Sequence, residues 1–201
     1  MTKANWAVVS PSSGSGNKTV NVSSSAEHTG RKARSTVLTI TAANVDAKTV
    51  NITQQGKPEF TNNNSDTATA AKGGQNVTIS GISNSKKLTF SLGTGDLSIT
   101  LPNTYTAGGV TTNNGDDITG DPGSTAKYNW SIVINVAENT TINSKSKQII
   151  VTDEGGNTDT CVLTQAAGDA YLTVSKSAIE LTYQGTAVSF DVSSNTNWTI
   201  S

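Results

Sequence analysis

Apolar residues alternate with Thr, Ser and Asn along most of this 201-residue chain, and this two-residue period constrains the fold more than any other feature. Successive side chains of a β-strand point to opposite faces, so the pattern gives one apolar and one polar face. Short strands of this kind, separated by turn residues, are typical of a β-sandwich. The alternation recurs at Val20/Val22, Leu38/Ile40, Val50/Ile52, Val77/Ile79, Leu88/Phe90/Leu92, Leu97/Ile99/Leu101, Ile132/Ile134/Val136, Ile149/Val151, Val188/Phe190/Val192 and Trp198/Ile200.

The composition excludes several functional classes. Thr (32), Ser (24) and Asn (20) dominate, whereas charged residues make up 14% and aromatic residues 5%. No apolar run approaches the roughly 18 residues of a membrane-spanning helix. A formal net charge of −1 argues against binding of nucleic-acid phosphates. We therefore expect an all-β protein with no nucleic-acid partner and no membrane insertion.

Few side chains in the sequence are suited to catalysis or metal binding. His28 is the only histidine, and its position in a Ser-rich segment favours a solvated turn residue. Cys161 is the only cysteine, which excludes an intrachain disulfide and favours burial within an apolar run. Asp116, Asp117 and Asp121 cluster, but they lack the regular spacing of a calcium loop. We predict no catalytic residues, no metal site and no cofactor.

A carbohydrate site is the one binding site that the aromatic residues suggest. The segment between Tyr105 and Tyr128 has no clear strand pattern and is predicted to be a long loop. Sugar rings stack on exposed aromatic faces, so Tyr105, Tyr128 and Trp6 are the candidate carbohydrate-binding residues. For Trp6, as for Trp130 and Trp198, the alternative is packing in a sandwich core.

Two segments of the chain end in the same way. VNITQQG at 50–56 corresponds to VLTQAAG at 162–168, with Gln54 and Gln165 separated by 111 positions. NSKKLTF at 84–90 similarly resembles NTNWTI at 195–200. A repeat of roughly 110 residues is the size of one immunoglobulin-like sandwich.

Segments near both ends of the chain carry a family resemblance: NWAVVSPSSGSGN at 5–17, RSTVLTIT at 34–41, TQQG at 53–56, YLTVS at 171–175, VSFDV at 188–192 and NTNWTI at 195–200. They resemble the BACON domain, an immunoglobulin-like module of Bacteroidetes surface proteins, of glycan-degrading enzymes and of phages that infect these bacteria. The resemblance implies two immunoglobulin-like antiparallel β-sandwiches in tandem, and a role in carbohydrate or mucin binding or as a spacer.

The resemblance also predicts the domain boundaries. Residues 1–57 correspond to the C-terminal part of one sandwich, 58–168 to a complete but divergent sandwich, and 169–201 to the N-terminal strands of another. One sandwich is thus continuous, and the other is split between the two ends of the chain.

Three explanations of the split sandwich remain open at this stage. In the first, residues 169–201 complete residues 1–57 of a neighbouring molecule by β-augmentation; in the second, the chain is a fragment; in the third, both pieces meet within one chain. The six-residue link from Gln165 to Tyr171 reaches at most about 20 Å, which is short for a return across a sandwich. The strands expected to mediate assembly are those of Val188, Phe190, Val192, Trp198 and Ile200.

The leading functional prediction is a non-enzymatic structural or adhesive component of a Bacteroidetes phage virion, such as a head fibre, a capsid decoration or a tail part. It would bind itself or other virion proteins through its terminal strands, after assembly in the host cytoplasm. The lack of a disulfide suits that reducing compartment, and residues 1–6 contain no apolar signal-peptide core. The alternative is an extracellular module of a secreted bacterial surface protein that binds mucin or other host-surface glycans or acts as a spacer.

Overall fold

A computed structural model describes residues 3–201, so the first two residues of the predicted 1–57 unit lie outside it. The all-β prediction is confirmed, because 45% of the residues lie in strands and 2% in helix. No helix within residues 3–201 is long and apolar enough to cross a membrane. The strands are β1 (Ala7–Ser10), β2 (Asn21–Ser24), β3 (Arg34–Ala42), β4 (Val45–Gln54), β5 (Thr61–Asn63), β6 (Thr67–Ala70), β7 (Gln75–Ser83), β8 (Leu88–Leu92), β9 (Thr104–Ala107), β10 (Val110–Asn113), β11 (Tyr128–Val136), β12 (Lys145–Asp153), β13 (Thr158–Gln165), β14 (Leu172–Val174) and β15 (Val192–Ser194).

Nine of these strands, β5 to β13, form two larger sheets. The strand orders are β10-β9-β11-β7-β5 in one sheet and β6-β13-β12-β8 in the other. Neighbouring strands are antiparallel except β6, which runs parallel to β13. The central ladder joins β11 to β7 from Tyr128↔Ser83 at one end to Val136↔Gln75 at the other.

Both larger sheets contribute to one hydrophobic core, whose buried residues span Ala70 to Leu163. In β11, Trp130 and Ile134 point inward and are at most 2% exposed, whereas the intervening Val133 is 51% exposed. Phe90 from the opposite sheet packs edge to face with Trp130, at a centroid distance of 5.3 Å. The two-residue period of the sequence therefore sorts these side chains between the core and solvent, as half-buried strands require.

The segment after Tyr105 is not the long loop that the sequence predicted. It contains the hairpin β9–β10, in which Ala107 pairs with Val110. Gly108 and Gly109 form its two-residue turn with φ values of +57° and +84°, a conformation that glycine adopts without strain. The strand pattern was missed because Tyr105 and Ala107 are the only inward residues in so short a strand.

The segment of Leu97, Ile99 and Leu101, predicted to be a strand, forms no β-ladder with a neighbouring strand of the described chain. Leu97 is buried, and its N–H donates to the Ser146 carbonyl at 2.8 Å. Ile99 and Leu101 pack against the core. The alternation therefore reports the inward side chains correctly, although this extended segment forms no regular strand.

The chain ends form three separate two-stranded sheets, β1-β2, β3-β4 and β14-β15. Of the five predicted assembly residues, only Val192 lies in a strand, and the segments of Val188/Phe190 and Trp198/Ile200 have no ladder within residues 3–201. A strand needs a hydrogen-bonded neighbour, and the described part of the chain brings none to these segments.

We predict opposite responses at two neighbouring positions of β11. Ile134→Ala should lower the free energy of unfolding by about 2–5 kcal/mol, because it leaves a cavity in the core. Val133→Ala, on the exposed face of the same strand, should change it by less than about 0.5 kcal/mol. Chemical denaturation followed by tryptophan fluorescence measures both, and equal effects would contradict the assignment of the core face.

Candidate functional site

Exposed apolar side chains concentrate at the two ends of the chain. Of the 19 exposed large hydrophobic residues, only three lie between residues 58 and 168: Leu92, Val133 and Ile142. Ala7 is the only buried hydrophobic residue in residues 3–57, and residues 169–201 contribute none. Apolar surface on this scale marks an interaction site in a folded protein. We therefore take residues 3–57, the N-terminal module, and residues 169–201, the C-terminal segment, as the candidate functional site.

Each of these regions also has unpaired strand edges. The hairpin β3–β4 forms nine- and ten-residue strands, yet it is a two-stranded sheet with no neighbour on either side among the described residues. The pairing β14–β15 covers only three residues on each strand. Two-stranded sheets are marginally stable alone, and their free backbone groups are templates for another strand.

The N-terminal module joins the larger sheets through the buried side chain of Asn84, which is 0% exposed. Its amide nitrogen donates to the carbonyls of Thr29, Lys57 and Pro58 at 3.2–3.3 Å. Its carbonyl oxygen accepts from the Phe60 N–H at 3.0 Å. The Asn84 side chain therefore hydrogen-bonds both to the N-terminal module, at Thr29 and Lys57, and to the residues that follow it, Pro58 and Phe60.

We call the contact between the N-terminal module and the larger sheets around Asn84 the first joint. It also contains an ion pair and a close backbone approach. The Arg31 guanidinium contacts the Asp121 carboxylate at 2.6 Å and donates to the backbone carbonyl of Asn84 at 2.9 Å. A Cβ on Gly123 would lie 2.0 Å from the Asn84 carbonyl oxygen, and one on Gly30 would lie 2.3 Å from the Thr125 backbone. The two backbones therefore pack at distances that only glycine allows.

The C-terminal segment is attached to the larger sheets by three of the Asn84 bonds, repeated 111 positions later. Asn195 donates to the carbonyls of Thr140 and Asp169 and accepts from the Tyr171 N–H. These partners are Thr29, Pro58 and Phe60 of the first joint shifted by 111 positions. The backbone bond from Lys57 N–H to Gly30 likewise recurs from Gly168 N–H to Thr141.

The repetition extends through the C-terminal segment. The pairs of β14 with β15 are those of β5 with β7 shifted by 111, for example Leu172↔Ser194 for Thr61↔Ser83. The turn bond from Gly74 N–H to the Ala71 carbonyl recurs from Gly185 N–H to Thr182, and both glycines have positive φ. Residues 171–196 therefore repeat residues 60–85 without insertion or deletion.

The N-terminal module repeats the second half of the same unit. The hairpin β3–β4 corresponds to β12–β13, with Arg34↔Gln54 at the position of Lys145↔Gln165. The side-chain bond from Gln54 to the Ala26 carbonyl recurs from Gln165 to Ala137. The two ends of the chain thus hold complementary halves of the unit that is complete between them.

The two halves are attached at opposite ends of the larger sheets. The N-terminal module contacts the end at which Ser83 pairs with Tyr128, and the C-terminal segment contacts the end at which Gln75 pairs with Val136. Nine residues of β7 separate these ends, which corresponds to roughly 26 Å at 3.3 Å per residue. Within residues 3–201, no strand of one half pairs with a strand of the other.

Neither predicted carbohydrate-binding tyrosine offers its ring to solvent. Tyr105 is 2% and Tyr128 is 7% exposed, and both rings belong to the core. The Tyr105 hydroxyl accepts from the Leu88 N–H, and the Tyr128 hydroxyl donates to the Ser85 carbonyl. The prediction of exposed rings on a loop is therefore wrong, because both residues lie on strands with their side chains inward.

Trp6 lies apart from both tyrosines, since its ring is half-buried in the N-terminal module and stacks under the Arg34 guanidinium at 4.7 Å. The structure therefore does not bring the three predicted carbohydrate-binding residues together. Trp130 is buried as a core residue, whereas Trp198 is 48% exposed.

The structure also changes the interpretation of His28. It is 7% exposed rather than solvated, and its Nε2 lies 2.6 Å from the Lys32 carbonyl oxygen. It is buried because this turn packs into the joint described above. Cys161 is buried as predicted, and burial raises the pKa of its thiol.

The predicted aspartate cluster is divided between two ion pairs. Asp121 pairs with Arg31, and Asp117 pairs with Lys86. Among residues 3–201, no group of three or more His, Cys, Asp or Glu side chains is placed to hold a metal ion.

Sequence reasoning found Gln54/Gln165 and the matching segments around Asn84 and Asn195, because their spacing repeats. It missed the contact between Arg31 and Asp121, which lie 90 positions apart and have no counterpart elsewhere in the chain. No local pattern signals such a long-range pair.

Comparison with known proteins finds similarity only to solved structures. No family model and no curated protein matches the chain. A solution structure of a protein from Bacteroides thetaiotaomicron is similar over 52% of this chain and 78% of its own, with 17% identity and a TM-score of 0.27. An endo-fucoidan hydrolase from glycoside hydrolase family 107 is similar over 83% of this chain and 22% of its own, with 12% identity and a TM-score of 0.33.

We predict that Asn84→Ala lowers the free energy of unfolding by about 2–4 kcal/mol, since it leaves buried carbonyls without donors. Asn135→Ala is the matched control, because its exposed side chain bonds only to Asn76 and its loss should cost less than about 0.5 kcal/mol. Limited proteolysis of the Asn84 variant should also cut faster around residues 29–32. Unchanged stability and cleavage would contradict the role assigned to Asn84.

A second prediction concerns alkaline pH. Burial raises the pKa of Tyr128 and of Tyr105, so each folded-state hydroxyl keeps its proton at a pH where the unfolded chain loses it. The contribution of these two tyrosines to the free energy of unfolding should be constant below about pH 10. Above that pH it should fall by up to about 1.4 kcal/mol per pH unit for each tyrosine. Tyr128→Phe should show a shallower fall, measured by denaturation between pH 8 and 11. An identical slope in both proteins would count against this linkage.

Proposed function

We propose that this protein is a non-enzymatic structural module that assembles head to tail, with the C-terminal segment of one molecule completing the N-terminal module of the next. One observation carries the proposal: the two ends of the chain are complementary halves of the unit at 58–168, and each half leaves its apolar face open. Completion would bury side chains such as Phe190, which is 40% exposed and corresponds to the buried Ile79.

The proposal includes the finer description of the fold. The two larger sheets and their shared core support an immunoglobulin-like sandwich of the BACON type for residues 58–168. The 111-residue repetition supports a second sandwich of the same type, built from residues 169–201 and 1–57 of different molecules.

Completion between molecules explains the open surfaces better than closure within one molecule. The joints hold the halves at opposite ends of β7, and Gly168, where the chain leaves the larger sheets, is fixed by its bond to Thr141. A contact between unlike surfaces of identical chains is heterologous, so it extends into a fibre or closes into a ring.

The biological setting that we propose is a phage virion, in which such a chain would serve as a fibre, a decoration or a tail part. This setting rests on the sequence resemblance described above. Mass spectrometry of purified particles tests it separately from the assembly, since a protein absent from particles would exclude the setting and leave the strand exchange open.

Assembly itself is tested by the mass of the purified chain in solution. Sedimentation velocity over a range of concentrations should show a series of oligomers that grows with concentration. A strict monomer at every concentration would overturn the proposal.

Phe190→Ser should abolish or greatly reduce these oligomers, because it removes a large apolar side chain from the surface to be buried. The matched control is Val133→Ser, at an exposed position on the continuous unit, which should leave the oligomers unchanged. Equal effects of both substitutions would indicate association through general stickiness rather than through the C-terminal segment.

A further inference from the structure

The continuous unit contains a parallel strand pair whose two counterparts are separated in this chain. In that unit β6 lies beside β13, with Leu163 opposite Ala68 and Gln165 opposite Ala70. Shifted by 111 positions, β13 becomes the end of β4, and β6 becomes residues 178–181. Neither counterpart has this neighbour within residues 3–201, because β3-β4 is a two-stranded sheet and residues 178–181 lie in no strand.

The side chains at these positions are apolar and open. Ile179 is 37% exposed and Leu181 is 65% exposed, whereas Ala70, the counterpart of Leu181, is 4% exposed. Ile52 of β4 is half-buried, while its counterpart Leu163 is fully buried. The same alternation that buries β6 would therefore bury residues 179 and 181 against β4.

The hydrogen bonds of Gln54 are a second, independent observation that indicates a missing strand. Its counterpart Gln165 donates both amide hydrogens, to the carbonyls of Ala137 and Ala71 at 2.6 and 3.3 Å. Gln54 bonds to Ala26, the counterpart of Ala137, and finds no second acceptor among the described residues. The counterpart of Ala71 is Thr182, which follows directly after the segment 178–181.

From these observations we infer the partner and the register of the proposed assembly: residues 178–181 of a second copy add to the edge of β4 as a parallel strand. This inference rests on the proposed function and makes it specific. Ile179 lies opposite Ile52, Glu180 opposite Thr53 and Leu181 opposite Gln54, and the Thr182 carbonyl accepts the second Gln54 amide hydrogen.

The other edge of this hairpin has a matching occupant. In the continuous unit β8 pairs with β12, and Phe90 lies opposite Val151. The counterpart of Val151 is Ile40, which is 51% exposed. Trp198-Thr199-Ile200 matches Leu88-Thr89-Phe90 in sequence with one residue fewer after Asn195, so the shift here is 110 positions. In this alignment the segment of the second copy takes the β3 edge. The hairpin thereby becomes the centre of a four-stranded sheet.

The register is tested with cysteines on the outer face, where the core is not disturbed. Thr53 and Glu180 are both exposed, as are their counterparts Thr164 and Thr69. Directly paired residues on neighbouring strands lie roughly 5 Å apart, within the range of a disulfide. Thr53→Cys and Glu180→Cys chains are mixed and mildly oxidised, with the buried Cys161 retained, and covalent dimers are measured by mass spectrometry.

We expect the Thr53→Cys and Glu180→Cys mixture to form at least tenfold more mixed disulfide than a Thr53→Cys and Ala178→Cys mixture. The latter is the matched control, because Ala178 lies on the same face two residues out of register. Oligomers that lack the first cross-link, or that favour the control, would overturn the register and leave the assembly standing. A chain that stays monomeric would overturn both.

Discussion

A sheet with one apolar face is stable only when another layer of structure covers that face, and the organisation of this protein follows from this constraint. Between residues 58 and 168 the requirement is met within the chain, because two sheets share one core. At the ends the same strand types are present without their opposing sheets. The N-terminal module and the C-terminal segment therefore have the same alternating sequence pattern as the central unit. They differ from it because no opposing sheet in the described part of the chain covers their apolar faces.

The joints are as important as the sheets for the arrangement of the molecule. Asn84 and Asn195 each bind the backbones that meet at a boundary between units, and the three bonds of Asn195 each have a counterpart at Asn84. The buried amide of Asn84 fixes the relative position of the segments that it binds more firmly than an apolar contact, since each of its bonds requires a particular direction. The two open halves are thus held apart in a defined orientation.

Much of the fold was predictable from the sequence because strand alternation and repeat spacing are local or periodic signals. The inward residues of β7, β8, β11 and β12 follow the predicted apolar pattern. The hairpin β9–β10 was missed because each of its strands is only four residues long. Tyr105 and Tyr128, at the two ends of the segment predicted to be a loop, were therefore assigned to a binding site, and the packing of their rings in the core corrects that assignment. The exposure of Phe190 and Trp198 depends on which strands meet in space, so no local pattern could reveal it.

Because three bonds of Asn84 recur at Asn195, the step from the N-terminal module to the central unit resembles the step from the central unit to the C-terminal segment. In the proposed assembly, successive sandwiches would then be related by similar screw operations, whether or not a chain boundary intervenes. Alternate sandwiches differ in sequence, so the axial repeat would be two sandwiches, with a structural pseudo-repeat of one. Such a fibre would also have a direction, with an acceptor surface at one tip and a donor segment at the other.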